Sequence, residues 1–322
     1  MRKICFILLI LSSILSLSES INYNSIQRKF YSKLIGMVRT EIIYNSLPYL
    51  KNRKINIFRM INEMKTIKNR NSLNDIELAY LVYMWIAQNI NFYGGNFYED
   101  QDPVDAYDSG QATLYGLTSL FNKMCNLLEI EAGSILGYYK YNDKAGNILN
   151  DDYVWNYIVI NGKYYLIDIL FGMTQKMEEL CFGTDPEIFI YFHFPKENTW
   201  QLLSEPITLE KFNSKAYLME DFYYLGFKTI SPDSYEISGN EKIILTYDES
   251  YNNDYILEIE ILNYDYNKID FRQYELSNGK VEINCNLNDE IYGGIEIIIR
   301  TVDDYYSIAA YKINHSKKFS LN

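Results

Sequence analysis

The chain has 322 residues, 48% hydrophobic and 22% charged, an ordinary globular composition and long enough for two cores. Its formal net charge of −12 at pH 7 argues against nucleic acid or an anionic membrane as partner of its body. Tyrosine is over-used, at 32 residues.

The first twenty residues, MRKICFILLILSSILSLSES, combine a basic start, an apolar run and small residues at Ser18 and Ser20. They read as a secretory signal cut near Ser20, which places the mature protein outside the cell or in the secretory pathway. The run from Ile4 to Leu17 is short for a membrane span, which needs roughly 20 apolar residues; an uncleaved anchor is the alternative. Residues 21–71 hold eleven Lys or Arg against Glu41 and Glu63, while residues 72–322 hold 17 against 39 Asp and Glu. The basic segment suits an acidic partner, although packing on its own acidic body or plain solvation is the simpler reading. Beyond the signal the cysteines are Cys125, Cys181 and Cys285, too sparse and odd for a disulfide-stapled scaffold. Cys181 and Cys285 are the one pair left open. Asn314-His315-Ser316 is the single glycosylation sequon.

Taken in order, residues 21–71 are a basic helical segment with one apolar stripe at Ile26, Phe30, Leu34, Val38 and Ile42. A second begins at Ile55, Met60, Ile61 and Met64, and Pro48 is expected to separate the two helices. Ser72 with Asp75 three residues on predicts a helix start, and the helix runs on with Leu78, Leu81, Trp85 and Ile86 inward until Gly94-Gly95. A polar loop carrying Asp102-Pro103 and Asp105 then leads into a helix at 113–128. There Leu114, Leu117, Phe121, Met124 and Leu128 recur at spacings of three and four. Two strand-like stretches follow, SILGYYKY and YVWNYIVINGKYYLIDILFG. Thr184-Asp185-Pro186-Glu187 is a helix start with proline at its first position. From residue 231 onward, short alternating runs separated by Asn, Asp and Gly predict an antiparallel β-sandwich with its own core.

With those segments placed, the chain resembles the transglutaminase-like superfamily, and within it the kyphoscoliosis peptidase family. The resemblance rests on several stretches: the Trp-Ile-x-x-Asn-Ile helix at Trp85, Ile86, Asn89 and Ile90; LYGLTSLFNKMCNLLEI; VWNYIVINGKYYLIDILFG; and FGTDPEIFIYFHFPKENTWQLLSEPITLEKF. It extends through IYGGIEIIIRTVDDYYSIAAYKI, so it covers about Ser72 to Ile313. It implies an α+β fold with a papain/transglutaminase-like core at 72–230, covered by the helical segment at 21–71. An Ig-like antiparallel β-sandwich at 231–322 follows. No cofactor and no metal are implied.

In that family a Cys at the helix start attacks a carboxamide or peptide carbonyl, a His shuttles its proton, and an Asp orients the His. Gly116 and Leu120-Phe121 set the register, so the resemblance carries the Cys position onto Leu114. The His position falls on Tyr153, two before Trp155, and the Asp on Asp168. Leucine has no lone pair to donate, and tyrosine, with an unperturbed pKa of about 10, is a poor base at neutral pH. Losing a comparable nucleophile and base costs on the order of 10⁶-fold in rate. Cys125 lies eleven residues further on, roughly 16 Å along a helix at about 1.5 Å per residue, out of reach of that position. His193 and His315 are the only imidazoles, and His193 matches a family His-Phe-Pro segment that is not the base.

The triad therefore reads as vestigial, with the Tyr153 hydroxyl expected to donate to Asp168. The leading expectation is a secreted, inactive transglutaminase-like protein that binds or scaffolds a protein or peptide. Trp155, Trp200 and Gln201 are the candidate contact residues, each also readable as packing. The alternatives are a cysteine-independent peptidase or acyltransferase using Thr113 or Ser119, and a purely structural extracellular protein.

Overall fold

A computed structural model describes residues 32, 34–51, 55–93, 99–142, 148–175, 177–237, 242–247, 256–263, 265–269, 273–277, 279–284, 294–301 and 304–313. The signal segment, Cys285 and its pairing with Cys181, and the Asn314 sequon lie outside them. The chain divides into two compact units, Met1–Gly133 with Asn156–Asp185, and Ser134–Trp155 with Pro186–Asn322.

In chain order the first unit opens on a single 3₁₀ turn, Ile35–Met37, then α1 (Thr40–Leu50), α2 (Ile57–Asn71) and α3 (Asp75–Asn89). Ile26 and Phe30 of the first apolar stripe lie outside the described residues, and its remainder is no continuous helix, because Val38 is extended. Pro48 lies inside α1 instead of separating helices. Two residues from the helix end, its missing N–H removes only the bond to the Tyr44 carbonyl. Ser72 does not open α3. It closes α2 in the left-handed conformation, φ 50°, and Asn74 caps α3 in a reciprocal box with Glu77. Every residue from Ile76 to Ile86 is buried, the mark of a helix enclosed on all sides. Accordingly α3 touches α1 and α2, and also the two helices that carry the site below.

The helix ends at Asn89, before the two glycines, and passes into β1 (Asn91–Phe92). The expected polar loop contains α4 (Pro103–Ser109), capped by Asp102 with proline in its first turn. Next come β2 (Gln111–Ala112), which pairs with β1 in parallel, and α5 (Leu114–Leu127), whose five stripe residues are all buried. After β3 (Ala132–Asn142) and β4 (Ile148–Ile160), a turn at Asn161-Gly162 leads to β5 (Lys163–Ile167). Both turn residues have positive φ, 52° and 74°, as a tight hairpin requires. The expected strand stops at Ile167, and ILFG opens α6 (Ile169–Gln175) before β6 (Phe182–Thr184). Within the first unit the second half of β4 pairs antiparallel with β5, and β5 with β6.

The second unit holds β3 beside the first half of β4, then α7 (Pro186–Phe189), which starts on the predicted proline, and β7 (His193–Pro195), antiparallel to β3. Further on lie α8 (Leu209–Ser214), β8 (Tyr217–Leu218) and α9 (Glu220–Tyr224). Two sheets follow. One, in order β13–β14–β11–β9, uses β9 (Phe227–Ser231), β11 (Lys242–Tyr247), β13 (Gln273–Ser277) and β14 (Lys280–Asn284). The other, β10–β16–β15–β12, uses β10 (Glu236–Ile237), β12 (Ile256–Asn263), β15 (Gly294–Thr301) and β16 (Tyr305–Ile313), with β8 also on β16. All these pairings are antiparallel except β10 on β16. Alternation gives each sheet a buried apolar face, for example Ile243, Leu245 and Tyr247 on β11 and Ile295, Ile297 and Ile299 on β15. The fold is mixed α+β.

Candidate active site

Leu114 and Asp168 belong to the first unit, Tyr153 to the second. Leu114 is the first residue of α5 and is buried. Thr113 caps the helix: its Oγ1 accepts from Gly116 N at 3.0 Å and donates to the Glu99 carbonyl at 3.0 Å. Gln101 braces the same turn. Its Oε1 accepts from Thr113 N at 2.9 Å and its Nε2 donates to the Gln111 carbonyl at 2.9 Å. A Cβ on Gly116 would lie 2.1 Å from Gln101 Oε1, so a larger residue there displaces Gln101 from its bond to Thr113 N. Ser119 donates to the Gly116 and Gln101 carbonyls, at 3.1 and 3.3 Å. Both hydroxyls considered as substitute nucleophiles thus hydrogen-bond to backbone carbonyls. Cys125 is fully buried, and burial pushes its thiol pKa up, the reverse of what a reactive thiolate needs.

Asp168 is buried in the connection from β5 to α6. One carboxylate oxygen accepts from Phe171 N at 2.9 Å, capping α6, and its own N–H donates to the Cys181 carbonyl at 3.0 Å. The Tyr83 hydroxyl on α3 reaches the Asp168 carbonyl at 3.4 Å, and burial raises the Tyr83 pKa well above its ordinary value, which keeps it a donor. Since α5 and α6 pack together, the first unit brings the helix start and the aspartate's helix into one core.

Asn156, which the sequence reading did not single out, fastens β4 to α5. Fully buried, it donates to the Thr118 carbonyl at 3.0 Å and to Asn122 Oδ1 at 2.9 Å. Its position directly after Trp155 was the only signal available.

In the second unit Tyr153 sits in an aromatic group, its ring 5.4 Å from Tyr139 and 5.4 Å from His193 between centroids. His193 is buried, stacked on Phe189 at 4.1 Å and edge-on to Trp155 at 5.3 Å. Trp155 is itself buried, and its indole N–H meets no acceptor among the described residues. Gln201 is buried with both ends of its amide on the backbone of Ile207, each bond 2.8 Å. Trp200, half-buried beside it in a 3₁₀ turn, is the more accessible of the three candidate contact residues. Among the described residues no group of three His, Cys, Asp or Glu is placed to hold a metal ion, and no helix is long and apolar enough to cross a membrane.

The model of the transglutaminase-like superfamily matches residues 64–169, a stretch that ends one residue after Asp168. Over 192 residues the chain is 26% identical to the kyphoscoliosis peptidase of Mus musculus, covering 54% of this chain and 29% of that protein. The Homo sapiens kyphoscoliosis peptidase is 28% identical over 178 residues, 50% of this chain and 27% of that one. Hillarin of Drosophila melanogaster is 27% identical over 180 residues, 47% and 22% of the two chains. The matches span less than a third of each of these relatives.

Proposed function

We propose, from the match of residues 64–169 to the transglutaminase-like superfamily and the likeness to kyphoscoliosis peptidases, a secreted, catalytically inactive protein that binds or scaffolds another protein. The observation that supports this reading is Leu114. An alkyl side chain occupies the first turn of α5, buried, with the neighbouring Thr113 hydroxyl committed to its cap. A helix N-terminus lowers the pKa of a thiol, but leucine leaves that field nothing to act on. At the position that the resemblance assigns to the base stands a phenol, Tyr153, in an aromatic setting. The Asp168 carboxylate has a structural occupation as the cap of α6, which accounts for an acid outlasting its catalytic partners. The Thr113 and Ser119 alternative is less favoured, because both hydroxyls donate to backbone carbonyls.

The test is incubation of the protein without its first twenty residues with amine-donor and peptide substrates, beside an Asp168→Ala variant. Absence of turnover in both is the expected result. Turnover in the parent that disappears in the variant overturns the inactive reading. Secretion is checked separately, by expressing the full chain and sequencing the N-terminus of what leaves the cell.

A further inference from the structure

The second unit carries a cleft of about 700 Å³. Ile148 at the start of β4, Leu209, Glu210 and Asn213 of α8, and Glu236 and Lys312 at the β10–β16 pairing line it. Two features give it a chemical preference. Its apolar wall is accessible: Leu209 is 38% exposed. Its carboxylates are under-compensated, because Glu210 has no cationic partner among the described residues and Glu236 has only Lys312, at 3.5 Å.

The charge of the whole molecule points the same way. The second unit holds 14 Lys and Arg against 26 Asp and Glu, whereas the first is balanced at 16 against 16. The entire net negative charge therefore lies in the unit with the cleft, and its field attracts cations.

We propose that this cleft binds a lysine or arginine side chain of an extended partner segment. The aliphatic stem packs on Ile148 and Leu209, and the charged head meets the Glu210 and Glu236 carboxylates. Lys312 then competes with the incoming cation for Glu236. The inference rests on the reading of the chain as a binding module and adds the partner's chemistry.

The experiment is fluorescence anisotropy of a labelled peptide alternating leucine and lysine, titrated with the full chain, beside a matched peptide with glutamine for lysine. The lysine peptide is expected to bind, more weakly as salt rises, and the glutamine peptide to bind at least about tenfold less tightly. Glu210→Gln weakens the lysine peptide, and Lys312→Ala, which frees Glu236, tightens it; both variants unfold at the parent temperature. Opposite signs exclude general damage, which lowers affinity in both. Equal affinity for the two peptides, no binding, or a Glu210→Gln variant indistinguishable from the parent overturns the proposal. Turnover lost in Asp168→Ala would overturn the inactive reading while leaving a positive binding result intact, so the two failures are separable.

Discussion

The Asn156 side chain donates to the Thr118 carbonyl at 3.0 Å, a bond between a strand residue and a helix 38 positions earlier in the chain. It fixes the height of β4 against α5, and with it the relation of the hairpin that leads to Asp168 to the helix that starts at Leu114. A buried polar group left without its partner costs about 1–3 kcal/mol. Asn156→Ala should lower the free energy of unfolding by that amount in a denaturant titration. Asn122→Ala, which removes only the half-exposed second acceptor at 2.9 Å, should cost less.

Local signals in the sequence were read correctly where one chemistry had one use. The span of α5 follows from an apolar stripe that the core encloses, and the start of α7 from Pro186. Where two residues offer the same chemistry the reading failed: Ser72 and Asn74 both suit a cap, and only the reach of Glu77 back to Asn74 N, 3.0 Å, decides. Pro48 misled because a proline near a helix end removes just one bond. The roles of Gln101 and Asn156 were illegible for a different reason, since their partners lie ten to 38 positions away and no periodicity encodes them.

Gly137 and Trp155 are in such contact that a Cβ on the glycine would lie 2.3 Å from the Trp155 ring and 2.4 Å from the Phe194 carbonyl. Real side chains do not approach so closely, and forced overpacking costs about 1–3 kcal/mol, occasionally more. Gly137→Ala should therefore lower the melting temperature and shift the Trp155 fluorescence. Adding Trp155→Phe removes one of the two clashes. The double variant should be more stable than the sum of the single effects, because residues in contact do not add.

Arg39 holds the beginning of the described chain onto α3. Its guanidinium donates to Glu77 at 2.5 and 2.6 Å, and its backbone N–H donates to the same carboxylate at 3.1 Å. Burial alone would raise the Glu77 pKa, yet the hydrogen bonds from Arg39 and Asn74 bring it below the ordinary carboxylate value. A depressed acid contributes stability above its unfolded pKa of about 4.3, and that contribution is lost as pH falls through the folded value. Arg39→Ala leaves burial dominant. The variant should be less stable at neutral pH, and its loss of stability on acidification should be shallower than the parent's, as read from melting temperatures between neutral and strongly acidic buffer.

Lys140 is buried on β3, its ammonium donating to the Phe212 carbonyl at 3.2 Å and lying 4.7 Å from the Phe212 ring centroid. Burial lowers its pKa to about 7 and the neighbouring Lys215 adds to the effect, while Asp233 opposes it. Asp233 is itself paired with Lys215, through Oδ2 at 2.5 Å. Between about 7 and the unfolded value of 10.5 the unfolded chain binds the extra proton, so stability rises with pH across that window. Below it the full penalty of a buried cation applies, a few kcal/mol for a shift of this size. Lys140→Met keeps the length of the side chain and removes the titration. It should raise the melting temperature at neutral pH and abolish the alkaline rise. A parent protein whose stability is flat from neutral to alkaline pH would show that Lys140 remains charged, held by a partner stronger than the Phe212 carbonyl.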